Sequence, residues 1–278
     1  MPDAEPSTTV LQPPFDRVGE PRRVRRAALI LTGVAAAIFM IGILVGFVII
    51  GRRGAGPIQG WDDTVSRWYL YHRGALVGIS KVVATYLDAL PLGIICVVLS
   101  AVLAVTLRTS RAFIPIVAYL GGEFQVFAIR AVIHRHRPPT ANYPAAGAIN
   151  GVHETSYSFP SGHSVAVTAV LFALMGCIAL TCRIWWPWLI ALVGSVFVID
   201  TRLVLGVHWF SDVNFGFLIG CPWGVAVAIV ARQVEWWTSS GLTDIHHQGQ
   251  SPGKDVQNGD HGEEEAPPPS VVHTGVQG

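Results

Sequence analysis

Charge is scarce in this sequence. Of its 278 residues only 13% are Asp, Glu, Lys or Arg, while 51% are hydrophobic. A soluble domain carries about 25% charged residues. So little charge over this length excludes an ordinary soluble enzyme and points to a membrane protein. Cysteine is also sparse. Cys96, Cys177, Cys182 and Cys221 all sit in apolar stretches and none forms a CxxC pair, which leaves them as small buried apolar residues. The net charge of +1, without any basic module, gives no footing for nucleic acid. No internal repeat is present, and no carboxylate cluster suited to Mg²⁺ stands near the polar motifs described below.

What the chain has in quantity is long apolar runs. A bilayer core of about 30 Å needs about 20 mostly apolar residues in a helix. Six stretches qualify: 27–50, 89–107, 112–133, 163–182, 185–202 and 213–231. The expected fold is all-α, an integral membrane bundle of six transmembrane helices. The first run follows Arg22, Arg23, Arg25 and Arg26 but is too long for a signal-peptide core. Only Gly51-Arg52-Arg53 follows it, with no small-residue cleavage site, so it reads as a retained helix that also targets the chain. Residues 1–26 and 232–278 are expected to be disordered and cytoplasmic, flanking a membrane domain at 27–231. The second flank carries His246-His247 and the run Glu263-Glu264-Glu265. Between the first two spans, Trp61, Val65, Trp68 and Tyr69 recur at helical spacing. They predict an amphipathic helix lying in the interface, with Trp61 and Trp68 at headgroup level. Trp185, Trp186, Trp188, Trp236 and Trp237 fit an aromatic belt. The arginine cluster before the first span places both termini inside by the positive-inside rule.

On that topology the polar groups converge. The third span ends outside at Arg130, followed by His134, Arg135, His136, Arg137 and Pro138. The fourth begins outside with Phe159-Pro160-Ser161-Gly162-His163, the fifth ends there at Thr201-Arg202, and the sixth begins near His208 and Asp212. Six spans had the freedom to scatter these groups over both faces, so their agreement carries information.

Each element suits phosphate. Arg130 and Arg137 are two helical turns apart and can share a helical face, and the planar fork of arginine matches phosphate oxygens. Pro160-Ser161-Gly162 reads as a helix start, where backbone N–H groups and the helix dipole favour an anion. His163 falls in that first turn. His208 and Asp212 are helical neighbours, so the carboxylate can fix the ring tautomer and leave the other nitrogen free to attack. Arg202 adds another positive charge. Taken singly, an arginine at a span end is usually a snorkelling anchor and Asp212 an ordinary cap. Glu123, inside a span, reads equally as a functional group or as a structural partner of Arg130.

At these residues the sequence resembles the type 2 phosphatidic acid phosphatase superfamily. The family's motifs are Lys-x6-Arg-Pro, Pro-Ser-Gly-His and Ser-Arg-x5-His-x3-Asp. Here they read Arg130-x6-Arg137-Pro138, Pro160-Ser161-Gly162-His163 and Thr201-Arg202-x5-His208-x3-Asp212. The resemblance implies that His208 attacks phosphorus to form a phosphohistidine and that Asp212 orients it. His163 would act as general acid and later help activate water. Arg130, Arg137, Arg202, Ser161 and the Gly162 backbone would hold the phosphoryl oxygens. It implies no metal and no cofactor. Arg130 replaces the family's usual lysine, which keeps the charge and changes the geometry; Thr201 replaces the usual serine and keeps a hydroxyl.

The implied substrate is a membrane lipid phosphate at the extracytoplasmic face, with a lean toward polyprenyl diphosphate. Phosphatidate and phosphatidylglycerol phosphate are alternatives. A headgroup phosphotransferase and a non-catalytic anion- or lipid-binding protein are competing readings, and oligomeric state is left open. The segment from Pro139 to Phe159, with Tyr143, His153, Glu154 and Tyr157, is placed to act as a lid or headgroup contact, or as a plain surface loop.

Overall fold

The structure is a computed structural model that describes residues 19–51, 56–72, 74–107, 109–138 and 156–248. Its chain divides into units of residues 1–239 and 240–278; of the second, only the stretch to residue 248 is described, as the end of a helix. Among the described residues the regular structure is helical throughout. Helix α1 (Gly19–Val45) runs on into a π-helical turn, Gly46–Ile50. It is followed by α2 (Gln59–His72), α3 (Leu76–Tyr86) and α4 (Ala89–Leu107). A short 3₁₀ turn, Ser110–Phe113, leads into α5 (Ile114–Arg130), and then come α6 (Gly162–Cys182), α7 (Trp186–Val204) and α8 (Phe210–Gln248).

Among the described residues six helical segments are long and apolar enough to cross a membrane: Arg25–Ile50, Ala89–Thr106, Arg111–Arg130, Gly162–Cys182, Trp186–Val204 and Phe210–Gln233. They match the six runs expected from sequence, and the chain is a multi-pass membrane protein. Their outer surfaces carry exposed large apolar groups such as Leu90, Val105 and Phe127, as a bilayer solvent requires. The element ends have local causes. Pro115 and Pro187 fall in the first turns of α5 and α7, where a missing N–H costs nothing. The Ser161 hydroxyl caps α6 by accepting from the Ser164 N–H. Gly206, with φ 68°, turns the chain out of α7 toward His208, a conformation open chiefly to glycine.

Helix α6 is the most enclosed span, packed on α5 and α7 and in close contact with α8. Gly216, Gly220 and Gly224 of α8 face it. A Cβ on Gly220 would lie 2.5 Å from the Val165 carbonyl oxygen, and one on Gly224 2.4 Å from that of Ala169. The two backbones therefore meet nearly without side chains between them, the small-residue mode of packing used between membrane helices.

Several expectations need correction. Helix extends over Gly19–Arg26 and over 232–248, beyond the bounds drawn for the membrane domain. The remainder of both flanks lies outside the described residues, as does 139–155 of the expected lid. Helix α5 stops at Arg130, short of residue 133. The short α3 was not anticipated, because 11 residues are too few to register as a span. Helix α2 does turn Trp61 and Trp68 outward, as expected of an interfacial helix. Its polar side, though, is its buried side: Asp62 is 0% exposed and Ser66 2%.

Candidate active site

The ends of α5, α6, α7 and α8 that carry the polar motifs come together at one end of the bundle. A cavity of about 170 Å³ is walled there by Arg130, Gly162, His163 and His208, with Asp88, Glu123 and Ser156. A second, larger cavity of about 790 Å³ shares Glu123, Arg130 and Ser156 with it and extends along Val126, Phe127, Arg137 and Tyr157.

His208 stands before α8 rather than on it, and Asp212 lies in the first turn of that helix. The four-residue spacing still brings them together: Nδ1 lies 3.5 Å from Asp212 Oδ2. Ser158 stands beside both. Its Oγ is 3.4 Å from His208 Nδ1, and its hydroxyl donates to Asp212 Oδ2 in a short hydrogen bond. Asp212 Oδ2 also accepts the Trp209 N–H at 3.0 Å. On the other side of the ring, Nε2 lies 3.0 Å from Arg137 Nη1. A guanidinium can only donate, so Nε2 carries the lone pair and Nδ1 the proton. Burial, and then the positive charge of Arg137, push the pKa of His208 well below the usual histidine range.

Arg137 is not on the helix with Arg130. It reaches the site from the extended chain after α5, and the two arginines meet over Ser156, donating to its Oγ at 3.1 and 3.2 Å. Arg130 also donates to the Pro160 carbonyl from Nε and Nη2, at 3.2 and 3.0 Å. Arg137 Nη1 further donates to the Val207 carbonyl at 2.8 Å. His163 Nε2 lies 3.1 Å from the Ala84 carbonyl. Arg202 Nη1 and Asp88 Oδ1 stand 3.4 and 3.8 Å from that atom. Gly162 lines the cavity, but Ser161 does not. Its hydroxyl accepts from Ser164, and its N–H donates to the Asp212 carbonyl at 3.1 Å, tying the start of α6 to α8. In this geometry Ser161 acts as a brace.

Sequence reasoning gave no role to Ser156, Ser158, Asp62, Asp88 or Arg135. Arg135 is the most connected of them. It is 1% exposed and bridges Asp212 and Asp62, at 2.7 and 2.5 Å. Tyr157 stacks on His134 with ring centroids 4.5 Å apart. Among the described residues no group of three or more His, Cys, Asp or Glu side chains is arranged to hold a metal ion.

Comparison with known proteins agrees with this picture. A model of the PAP2 superfamily matches residues 111–236. A curated relative, an undecaprenyl-diphosphatase from Sulfolobus acidocaldarius, is 38% identical over 81 residues, which are 29% of this chain and span only 35% of that protein. Among solved structures, a transmembrane PAP2 type phosphatidylglycerolphosphate phosphatase from Bacillus subtilis matches with a TM-score of 0.56 at 20% identity, over 72% of this chain and 95% of that one. These matches bear out the resemblance read from the three motifs and the six-helix membrane fold.

Proposed function

We propose that this chain, whose residues 111–236 match the PAP2 superfamily, is a membrane lipid phosphatase that works through a phosphohistidine and needs no metal. One observation carries the reading: His208 presents an unprotonated Nε2 to a cluster of guanidinium groups, backed at Nδ1 by Asp212 and Ser158, beside a cavity that His163 also lines. A site that only bound an anion would have no use for an oriented nucleophile of this kind.

In the first step the Nε2 lone pair forms an N–P bond and the bridging P–O bond breaks. The leaving oxygen takes a proton from His163, which enters the step as an imidazolium and leaves it as neutral imidazole. In the second, water gives a proton to His163 as it attacks phosphorus. The N–P bond breaks, inorganic phosphate leaves and His208 returns to its starting state. Arg130, Arg137 and Arg202 offset the charge on the phosphoryl oxygens throughout, the part a metal plays in other phosphatases. Gly162 leaves room for an oxygen near the α6 N-terminus, where the helix dipole favours it.

The preferred substrate is a polyprenyl diphosphate, in keeping with the activity named for the Sulfolobus relative. The leaving group is then the lipid monophosphate. The site faces the extracytoplasmic side and both termini lie in the cytoplasm, because the arginine cluster before the first span is held inside.

The test uses purified protein and a panel of lipid mono- and diphosphates, with and without EDTA. Activity is expected to survive chelation. Quenched wild-type enzyme should carry acid-labile phosphate on His208, and His208→Ala should lose turnover by on the order of 1,000-fold or more. Phosphate on any other residue, full activity in His208→Ala, or an EDTA loss reversed by Mg²⁺ would overturn the proposal.

A further inference from the structure

We infer that Asp62 and Arg135 are positioning residues for the attack by His208, through which the interfacial helix α2 holds the Asp212 carboxylate in place. The inference rests on the function proposed above. Arg135 is 1% exposed and its two carboxylate partners 0%. Its fork is divided between them. Nη1 donates to Asp212 Oδ1 and to Ser211 Oγ, both at 2.7 Å, while Nη2 donates to Asp62 Oδ2 at 2.5 Å and to Gln59 Oε1 at 2.9 Å. Asp62 also accepts the Ser211 N–H at 2.8 Å, gripping the first turn of α8 beside Asp212. The guanidinium lies 5.3 Å from the centroid of the Trp209 ring, next to His208 in the chain.

The charge count gives this arrangement its point. A bond to Arg135 alone would neutralise Asp212 and leave little negative potential for the cation that forms on His208. Asp62 draws on the same guanidinium. Two carboxylates and one guanidinium leave a formal charge of −1, with Asp212 as the member nearest the ring at 3.5 Å. Arg135 thus holds the Asp212 carboxylate in orientation, and Asp62 keeps Arg135 from cancelling its charge. A packing role alone would ask only that α2 dock. Helix α2 has another tie to the bundle for that, the hydrogen bond from the Tyr69 hydroxyl to Asp200 Oδ1.

The experiment is single-turnover phosphorylation of the full chain in nanodiscs, by farnesyl diphosphate radiophosphorus-labelled at the terminal phosphate, at saturating concentration, with rapid quench in alkaline detergent, which preserves the N–P bond. Amplitude reports the folded, competent fraction, and the rate constant reports chemistry in that fraction. Asp62→Asn keeps the shape and removes the charge; its rate constant should fall by about tenfold or more, with KM within about threefold of wild type. Arg135→Lys keeps the charge but cannot fork between two carboxylates, and should also be slow. Tyr69→Phe should lower thermal stability without changing the rate constant. If Asp62→Asn and Arg135→Lys lose amplitude only and phosphorylate at the wild-type rate, or if Tyr69→Phe slows the step as much as they do, the inference is overturned and the proposed function stands. If wild-type His208 takes up no phosphate, the proposed function fails and takes the inference with it.

Discussion

At the scale of single residues, the site is organised around one neutral imidazole. His208 is buried and pressed by Arg137, and both effects disfavour its protonation. Its pKa is therefore lower in the folded protein than in the unfolded chain, where it sits near about 6.5. Above that pH neither state binds the proton and the histidine contributes nothing to stability. As pH falls through it, the unfolded chain takes up a proton that the folded protein refuses. Stability is lost by up to about 1.4 kcal/mol per pH unit until the folded pKa is reached. Replacing the ring with an uncharged side chain removes that slope. Thermal unfolding in detergent, compared at neutral pH and near pH 5, should show His208→Gln losing less on acidification than wild type. An equal loss would mean that His208 is not held neutral. Much at this scale was legible in the sequence, because the histidines, arginines and Asp212 sit in short motifs with fixed spacing. Arg135, Asp62 and Ser158 were not, since the side-chain contacts that tie them to the site join residues 50 to 149 positions apart. Asp62 also looked like the wet side of an interfacial helix.

At the scale of elements, the site depends on how α6 meets α8, since α6 carries His163 and the first turn of α8 carries Asp212. Gly220 leaves no room for a methyl group, which would sit 2.5 Å from a backbone oxygen. Backbone cannot rotate away as a side chain does, so Gly220→Ala must push the helices apart. It should cost about 1–3 kcal/mol and lower activity by separating the two groups. Gly33→Ala on α1 meets nothing within 4 Å and should stay within about 0.5 kcal/mol of wild type. Melting curves for the two variants check this, and equal stability would refute the close-packing account. The six spans were readable from apolar length alone. The glycine stripe was not, because glycine inside an apolar run does not announce which helix it faces. Nor was the end of α5, where the chain turns extended so that Arg137 approaches from a different direction than Arg130.

At the scale of the whole molecule, the proposed orientation makes a clear labelling prediction. Ala75 lies exposed in the turn between α2 and α3, in the part of the chain whose α2 is tied to the site through Asp62. Cys182 is exposed at the far end of α6 from His163. In intact cells an impermeant maleimide should label Ala75→Cys and spare Cys182 until the membrane is opened. The reverse order would put the site in the cytoplasm.

The larger cavity has a consequence for kinetics. It runs from Arg130 to Phe127, a residue 74% exposed on the membrane-facing surface of α5. A substrate that enters there never leaves its two-dimensional solvent. For the proposed lipid phosphatase, bulk molarity is then the wrong variable: turnover should follow the mole fraction of substrate in the lipid phase, and adding inert lipid should slow it at constant total substrate.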